Sequence, residues 1–491
     1  MRRAIACVAT GTGLVVGSVY LGAAPDRTAR VRSPDVLPAA AAERLAADVA
    51  AVQRFRPGYR FWRHVFSLPD GAIAYGSAET GRLIATFPAR GDWTAGAAWQ
   101  APGDARVLAG RAWPAELTQR RELTAELLAS AFGAVLHNPT RGQLLLPNLR
   151  RYGAFVREWG AIYERFGVPA DLGLAQALVE SGLSGTVRSE AQAIGFCQWL
   201  PANWNRLKRL APHVIEGHNQ TTQASYCAAY LTVLAGKYGS FIPALSEHHT
   251  GGTNVGRVLI NGERLGGGDV RERYFLGAEF ARDLRVLTPG TYRGVYGTYG
   301  PRSYRYAEMV FGNAETVADL AASTPQVRIF AMRTARPVTL ADVARRASLP
   351  VDEVRRYNPA LVSRVPARAT LYLPAHVPDL GTDVAFWHRP PAPAYAAVLG
   401  DFLSLALPAE RRDDAALDPV LREFRRRFAA TNTEEGHVMA TTLAFVLEDR
   451  QTNRQAQILK EFRTSDDIRR LFEQAQLERL ASRPSADTPR R

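Results

Sequence analysis

The chain contains only three cysteines in 491 residues, and none of the Cys and His spacings that bind zinc occurs in it. A Walker-type Gly-Lys loop and the signatures of the common nucleic-acid-binding folds are also missing. These absences argue against zinc modules, against P-loop nucleotide binding and against the common nucleic-acid-binding folds. We therefore expect no metal, no organic cofactor and no nucleic-acid partner.

The charge balance is strongly basic, with 61 Lys and Arg against 47 Asp and Glu, a formal net charge of +14. Such an excess favours an anionic partner: nucleic acid, an anionic membrane surface or a cell-wall polymer. Charge alone does not choose between them, and a solvated basic surface is an equally good interpretation. The length allows two to four domains, and 46% hydrophobic content is enough to build buried cores.

The N-terminus has the pattern of an export signal. Arg2 and Arg3 precede a run of apolar and small residues that ends near Ala24. Gly22-Ala23-Ala24 resembles a cleavage site, but the run is nearly long enough to span a bilayer. We interpret residues 1–24 as a signal peptide or an N-terminal anchor, and we expect an exported protein of the periplasm or cell envelope.

Export bears on the cysteines. Cys197 and Cys227 would remain after removal of the signal, in an oxidising compartment where they could pair. Two small buried thiols are the alternative.

Composition and periodicity divide the rest of the chain, and the fold class that they indicate is mainly α and multi-domain. A helix is expected at 41–55, and strand-like runs at 72–75 and 83–87 predict a small β element. The predicted parts are a linker (25–40), an N-terminal region with that β element (41–147), a helical core (148–290), a β-α-α-β module (327–375), a helical C-terminal region (376–480) and a disordered tail (481–491).

The helical core contains a carboxylate of interest. Apolar residues recur at three- and four-residue steps over 152–166, which predicts one helix that stops at Gly167 and Pro169. A second apolar helix follows and ends with Glu180 just before Gly182. Burial should raise the pKa of Glu180, so that it could hold a proton near neutral pH as a general acid. The alternative is a helix-end glutamate that points to water.

The residues after Glu180 resemble the lytic transglycosylase family, whose catalytic domain is a lysozyme-like α+β fold. Glu180-Ser181 matches the catalytic Glu-Ser of that family. The stretch Ser189 to Pro201, which reads S-E-A-Q-A-I-G-F-C-Q-W-L-P, matches without a gap its Ser-x-x-Gly-Ala-x-Gly-Leu-x-Gln-Phe-Met-Pro motif. Gln192 replaces a glycine of that motif. The resemblance assigns residues 148–290 to such a domain.

A third family block, Ala-Ala-Tyr-Asn-Ala-Gly, corresponds to Ser246 to Gly251 here, so that His248 and His249 replace its Tyr and Asn. The resemblance implies Glu180 as catalytic acid/base and peptidoglycan glycan strands as substrate. Adjacent residues on a helix point about 100° apart, so the two histidines are not interpreted as a metal site. The resemblance and the aromatic pattern suggest seven substrate-binding positions: Ser181, Ser189, Phe196, Gln198, Tyr230, His248 and His249. Trp199 is a further candidate for the wall of the binding pocket.

The β-α-α-β module resembles a LysM glycan-binding module, such as those attached to the membrane-bound lytic murein transglycosylase D type. The resemblance rests on Val338-Thr339-Leu340, Tyr357-Asn358-Pro359 and Leu371-Tyr372-Leu373-Pro374. Pro337-Val338 replaces the Gly-Asp that precedes Thr-Leu in LysM modules. A small scaffold module that no longer binds sugar is therefore the alternative.

Three functions are compatible with these patterns. The first is a lytic transglycosylase that forms 1,6-anhydro-N-acetylmuramic acid ends with Glu180 as its only catalytic carboxylate. The second is a catalytically weak peptidoglycan-binding or scaffolding protein, which the His248-His249 block favours. The third is hydrolysis in the manner of lysozyme, which adds water and leaves reducing ends. The sequence does not predict the oligomeric state.

Overall fold

The computed structural model describes residues 37–214, 218–287, 289–296, 299–300, 303–384, 386–405 and 414–452. The predicted signal segment, most of the linker and the predicted tail at 481–491 lie outside these ranges. No helix within them is long and apolar enough to cross a membrane.

Within these ranges α-helices predominate, and three small antiparallel sheets accompany them, so the mainly α prediction is confirmed. The helices are α1 (Ala39–Phe55), α2 (Trp62–Ser67), α3 (Leu117–Phe132), α4 (Gly142–Tyr152), α5 (Val156–Arg165), α6 (Ala170–Ser181), α7 (Pro201–Leu210), α8 (Gln220–Tyr238), α9 (Phe241–Thr250), α10 (Gly252–Arg264), α11 (Val270–Leu287), α12 (Pro289–Tyr296), α13 (Tyr306–Ser323), α14 (Leu340–Ala347), α15 (Val351–Tyr357), α16 (Pro393–Leu403), α17 (Asp414–Ala430) and α18 (Glu434–Thr452). The strands are β1 (Ala72–Ser77), β2 (Leu83–Pro88), β3 (Ala98–Trp99), β4 (Val135–Pro139), β5 (Phe330–Thr334), β6 (Val338–Thr339), β7 (Arg364–Val365), β8 (Thr370–Leu373) and β9 (Gly381–Asp383).

The N-terminal β element is a four-stranded antiparallel sheet in the order β3-β2-β1-β4. Helix α3 packs on it, and Ile73, Phe87 and Leu128 lie in their shared core. Strands β1 and β2 occur where the sequence predicted them. Helix α3 ends at Phe132, because Gly133 takes a φ of 79°, and the chain continues as β4.

Helices α5, α6, α8, α9 and α13 share one hydrophobic core, and α6 lies between α5 and α13. The helix predicted over 152–166 is divided by a 3-10 turn at Gly153–Phe155, and α5 starts at Val156. Helices α5 and α6 approach closely at Gly173, where a Cβ atom would lie 2.1 Å from the Tyr163 ring. Gly182, with a left-handed φ of 61°, ends α6 directly after the Glu180-Ser181 pair.

The β-α-α-β pattern is present: β5 and β8 pair antiparallel, with α14 and α15 between them in the chain. The first strand begins at Phe330 rather than at Val327, because the backbone before it bonds to the helical core. There, Val327 N donates to Ala154 O at 3.2 Å, and Ile329 N donates to the Glu158 carboxylate at 3.1 Å. Strand β9, which was not predicted, pairs with the other edge of β5.

The C-terminal helices lie against the helical core, and α18 packs on α7 and α8. A buried ion pair between Arg165 of α5 and Glu435 of α18 joins the two regions. Arg165 also donates to Arg389 O at 2.5 Å, and its own carbonyl accepts the Tyr395 hydroxyl at 2.9 Å. The described part of the region predicted to be helical is therefore anchored to the core by polar as well as apolar contacts.

Candidate active site

Glu180 occupies the last turn of α6, and its side chain is 12% exposed. Leu178 and Val179 before it are buried, and Gly182 turns the chain away after it. The carboxylate is thus held at the edge of the apolar core, with limited access to solvent. The alternative interpretation, a glutamate that extends freely into water, does not fit this burial.

Three side chains from two other helices surround one oxygen of this carboxylate. The Tyr306 hydroxyl, at the start of α13, donates a hydrogen bond to Glu180 Oε1 at 2.5 Å. On α9, His249 Nδ1 lies 3.8 Å and His248 Nε2 4.0 Å from the same oxygen. Each described contact of the carboxylate involves Oε1, and none involves Oε2.

Helix α9 is oriented by a polar network at its start. Ser240 caps it by accepting from Ile242 N at 3.1 Å, and Asp48 of α1 accepts from Phe241 N and from the Ser240 hydroxyl at 2.6 and 2.7 Å. Gly251, with a φ of 81°, ends the helix after His248 and His249. The two histidines therefore sit in the last turn of a helix that is fixed at its other end.

The two histidines have different environments. His249 is 27% exposed, and its ring stacks on Tyr306 with centroids 4.3 Å apart and planes 3° apart. The His248 side chain is 3% exposed, and its Nε2 donates to Cys197 O at 2.8 Å. His248 is thereby tied to the loop at 189–199, whereas the His249 side chain remains partly exposed to solvent.

The pKa of Glu180 lies below its ordinary value, contrary to the sequence-based expectation. Burial on its own would raise this pKa, but the hydrogen bond and positive charge of His249, the charge of His248 and the Tyr306 hydroxyl together outweigh burial. Burial lowers the pKa of His248, so its charge acts on Glu180 only in acidic solution. Burial and the neighbouring carboxylate raise the pKa of Tyr306, which remains a proton donor in its hydrogen bond.

Ser181 and Phe196 are both fully buried beside this site. The Ser181 hydroxyl bonds to Ala177 O at 3.0 Å and to Phe196 O at 3.3 Å, so it joins α6 to the loop. Phe196 packs edge-on against Trp159, with ring centroids 5.1 Å apart. Among the described contacts neither side chain touches the Glu180 carboxylate, and both position the loop.

The remaining loop residues form internal hydrogen bonds. Ser189 Oγ accepts from Ala193 N at 3.0 Å, and Gln198 Nε2 donates to Gly195 O at 2.9 Å and to Val187 O at 3.2 Å. Gln192 has a left-handed φ of 63°, which explains why glycine suits this position in the motif that it resembles.

Cys197 and Cys227 form a disulfide, which decides between the two alternatives left open by the sequence. Cys197 N also donates to Gln223 Oε1 at 3.0 Å. The peptide on either side of Cys197 is therefore held to α8 twice, and its carbonyl orients His248.

Tyr230 and Trp199, the other aromatic candidates, lie under the C-terminal helices. Phe445 of α18 stacks on Trp199, with centroids 5.4 Å apart and planes 7° apart, and Tyr230 meets Trp199 edge-on at 5.4 Å. The Tyr230 ring is also 6.0 Å from that of His248. Of the two, only Tyr230 is partly exposed, so it remains the better candidate for a pocket wall.

Tyr306 is the residue that the sequence analysis missed. It lies 126 residues after Glu180 in the chain and outside the predicted core domain of 148–290. No spacing pattern connects the two, because their proximity depends on the packing of α13 against α6. In the described part of the chain, no group of three or more His, Cys, Asp or Glu side chains has the arrangement of a metal site.

Comparison of the chain with protein-family models and with curated proteins finds no match.

Proposed function

We propose that this protein is an exported lytic transglycosylase that cleaves the β-1,4 bond between N-acetylmuramic acid and N-acetylglucosamine in peptidoglycan, with Glu180 as general acid/base. The observation that carries the proposal is the Glu180 carboxylate itself. It is largely buried, and Oε1 is held by Tyr306 with His248 and His249 nearby, whereas Oε2 has no described contact. One positioned carboxylate is sufficient when the substrate supplies its own nucleophile.

In the first step the proton of Glu180 passes from Oε2 to the glycosidic oxygen, and the bond to the anomeric carbon breaks. The N-acetyl oxygen of the muramyl residue supports the positive charge that develops at that carbon. Tyr306, which donates to Oε1, stabilises the carboxylate as it becomes negative.

In the second step Glu180 is the base. It accepts the proton of the muramyl C6 hydroxyl, whose oxygen attacks the anomeric carbon and closes the 1,6-anhydro ring. The proton that left Glu180 is returned, and no water is consumed. His249 and Tyr230, which are partly exposed, are the described side chains that we assign to sugar contact. Ser181, Ser189, Phe196 and Gln198 position the loop.

The lowered pKa of Glu180 has a consequence for this chemistry. A general acid must be protonated before it acts, and a pKa below the ordinary value leaves little of the acid form at neutral pH. We therefore propose an enzyme that works best in acidic solution. The same observation favours a second function, a peptidoglycan-binding or scaffolding protein with weak catalysis at neutral pH.

The finer fold assignments belong to the same proposal. We assign a lysozyme-like catalytic domain to the helices around α6 and extend it beyond 290 to include α13, because α13 packs on α6 and supplies Tyr306. We assign a LysM-like module to the β-α-α-β segment at 327–375, whose β5–β8 pairing and two intervening helices agree with it.

The test is mass spectrometry of purified peptidoglycan after incubation with the wild type, Glu180→Gln and Glu190→Gln. Glu190 is an exposed carboxylate in the adjacent loop and serves as the matched control. Anhydro-muropeptides from the wild type and the control, but not from Glu180→Gln, are expected. Products that carry an added water would show that the enzyme hydrolyses the glycosidic bond and is not a transglycosylase. No products from any variant between pH 4 and 8 would support the binding protein instead.

A further inference from the structure

The β-α-α-β segment at 327–375 is rich in arginine, with nine Arg, no Lys and three acidic residues. Its helical arginines are neutralised locally. Within α14 and α15 the side chains form ion pairs three or four residues apart, and a strand arginine pairs with the start of α18. The pairs are Arg345–Asp342, Arg346–Asp342, Arg355–Asp352, Arg356–Glu353 and Arg333–Glu434.

Three other arginines, Arg336, Arg364 and Arg368, are exposed. In the described part of the chain, no ion pair or hydrogen bond involves their side chains. They belong to one end of the segment, because Arg368 N donates to Thr334 O at 2.7 Å and Arg364 is the cross-strand partner of Thr339. We call these three residues the arginine end.

Among the described residues, no side-chain ion pair or hydrogen bond holds the arginine end, whereas another side of the segment is docked on the helical core. On the docked side the Tyr372 hydroxyl bonds to Thr222 at 2.8 Å, and Asn219 donates to Tyr357 O at 3.0 Å. Near the arginine end, Val362 is 81% exposed in the loop before β7. The loop joins α14 through a bond from Leu340 N to Ser363 O.

We propose that the arginine end binds the peptide-stem carboxylates of peptidoglycan; this rests on the proposed function. Each guanidinium presents a planar fork of donors that matches a carboxylate in two parallel hydrogen bonds, whereas a neutral sugar offers no charge to pair. A single exposed valine provides little apolar area for insertion into a bilayer, which argues against a membrane as the partner.

The first test measures sedimentation with peptidoglycan that hydrogen fluoride has stripped of phosphodiester polymers. All proteins carry Glu180→Gln, so binding is measured without cleavage. Arg336→Gln/Arg364→Gln/Arg368→Gln is compared with Arg345→Gln/Arg346→Gln/Arg355→Gln, which removes the same charge from paired positions. The first variant should bind about tenfold more weakly and with a smaller salt dependence, and the second about as the parent does. Equal losses, or no loss in the first variant, would overturn the proposal.

The second test changes the ligand and needs no variant. The parent protein should bind about tenfold more weakly to peptidoglycan whose carboxylates have been converted to amides, the same loss as in the first variant. Undiminished binding to the amidated peptidoglycan would rule out the carboxylates as the ligand.

A third test measures binding of the parent and the first variant to anionic phosphatidylglycerol vesicles. If the first variant lost vesicle binding but kept peptidoglycan binding, the partner of the arginine end would be a membrane and not the cell wall. Anhydro-product formation is assayed separately. The proposed catalytic function can therefore fail while the carboxylate binding is confirmed, and the carboxylate binding can fail while the catalytic function is confirmed.

Discussion

The Tyr306 hydroxyl donates a hydrogen bond to Glu180 Oε1 at 2.5 Å, and it connects the first residue of α13 to the last turn of α6. The Tyr306 ring also stacks on His249. One side chain therefore holds both the proposed acid and the histidine beside it.

Tyr306→Phe should remove the hydrogen bond and keep the stacked ring. We expect the rate of anhydro-product formation to fall about tenfold, since the Glu180 carboxylate loses a donor as it becomes charged. The loss of this donor also raises the pKa of Glu180, so the alkaline limb of the pH profile should move to higher pH. Tyr304→Phe, two residues earlier and partly buried, is the control. An unchanged rate and profile would remove Tyr306 from the mechanism.

His249→Asn should shift the pH dependence in the same direction. The hydrogen bond and charge of His249 lower the pKa of Glu180, so their removal raises it. Activity requires protonated Glu180 and is lost as pH rises through that pKa, hence the alkaline limb should move upward. The measurement is kcat/KM for anhydro-product formation from pH 3.5 to 8. His376→Asn, an exposed histidine in the C-terminal part, should leave the profile unchanged. A downward shift would contradict the proposed electrostatics.

Local patterns predicted most of the secondary structure around the site. The end of α6 followed from Gly182, and the boundary between α5 and α6 from Gly167 and Pro169, because these residues act on their own neighbours. The start of β5 was misplaced, since the backbone at Val327 and Ile329 bonds to the distant helical core. Nothing within the segment encodes that contact.

The same distinction holds for the candidate site. Glu180 and the two histidines were predicted because short stretches of the chain resemble motifs of a known family. Tyr306 was missed, and the direction of the Glu180 pKa was wrong, because both depend on which helices meet at the end of α6. Burial was the only effect visible in the sequence, and the histidines and Tyr306 oppose it.

The buried pair of Arg165 and Glu435 should make the C-terminal helices essential to stability. Both side chains are 4% exposed, so Glu435→Gln removes the negative charge from a buried ion pair. We expect the free energy of unfolding to fall by about 3–5 kcal/mol. Asp352→Asn, in an exposed pair with Arg355, should cost less than about 1 kcal/mol. The free energy of unfolding of both variants is measured by denaturant titration. Similar losses in the two variants would show that burial does not strengthen the ion pair between Arg165 and Glu435.

The disulfide between Cys197 and Cys227 should matter for both stability and the site. It closes a loop with a sequence separation of 30, for which loop-closure entropy contributes about 3–4 kcal/mol. Denaturant unfolding of Cys197→Ser/Cys227→Ser should show that loss. The reduced wild type should match the variant, and a variant as stable as the oxidised protein would contradict the estimate. Since Cys197 O accepts from His248, the variant should also form anhydro products more slowly under conditions where it is fully folded. Full activity of the folded variant would mean that Gln223 alone is enough to hold this peptide in place.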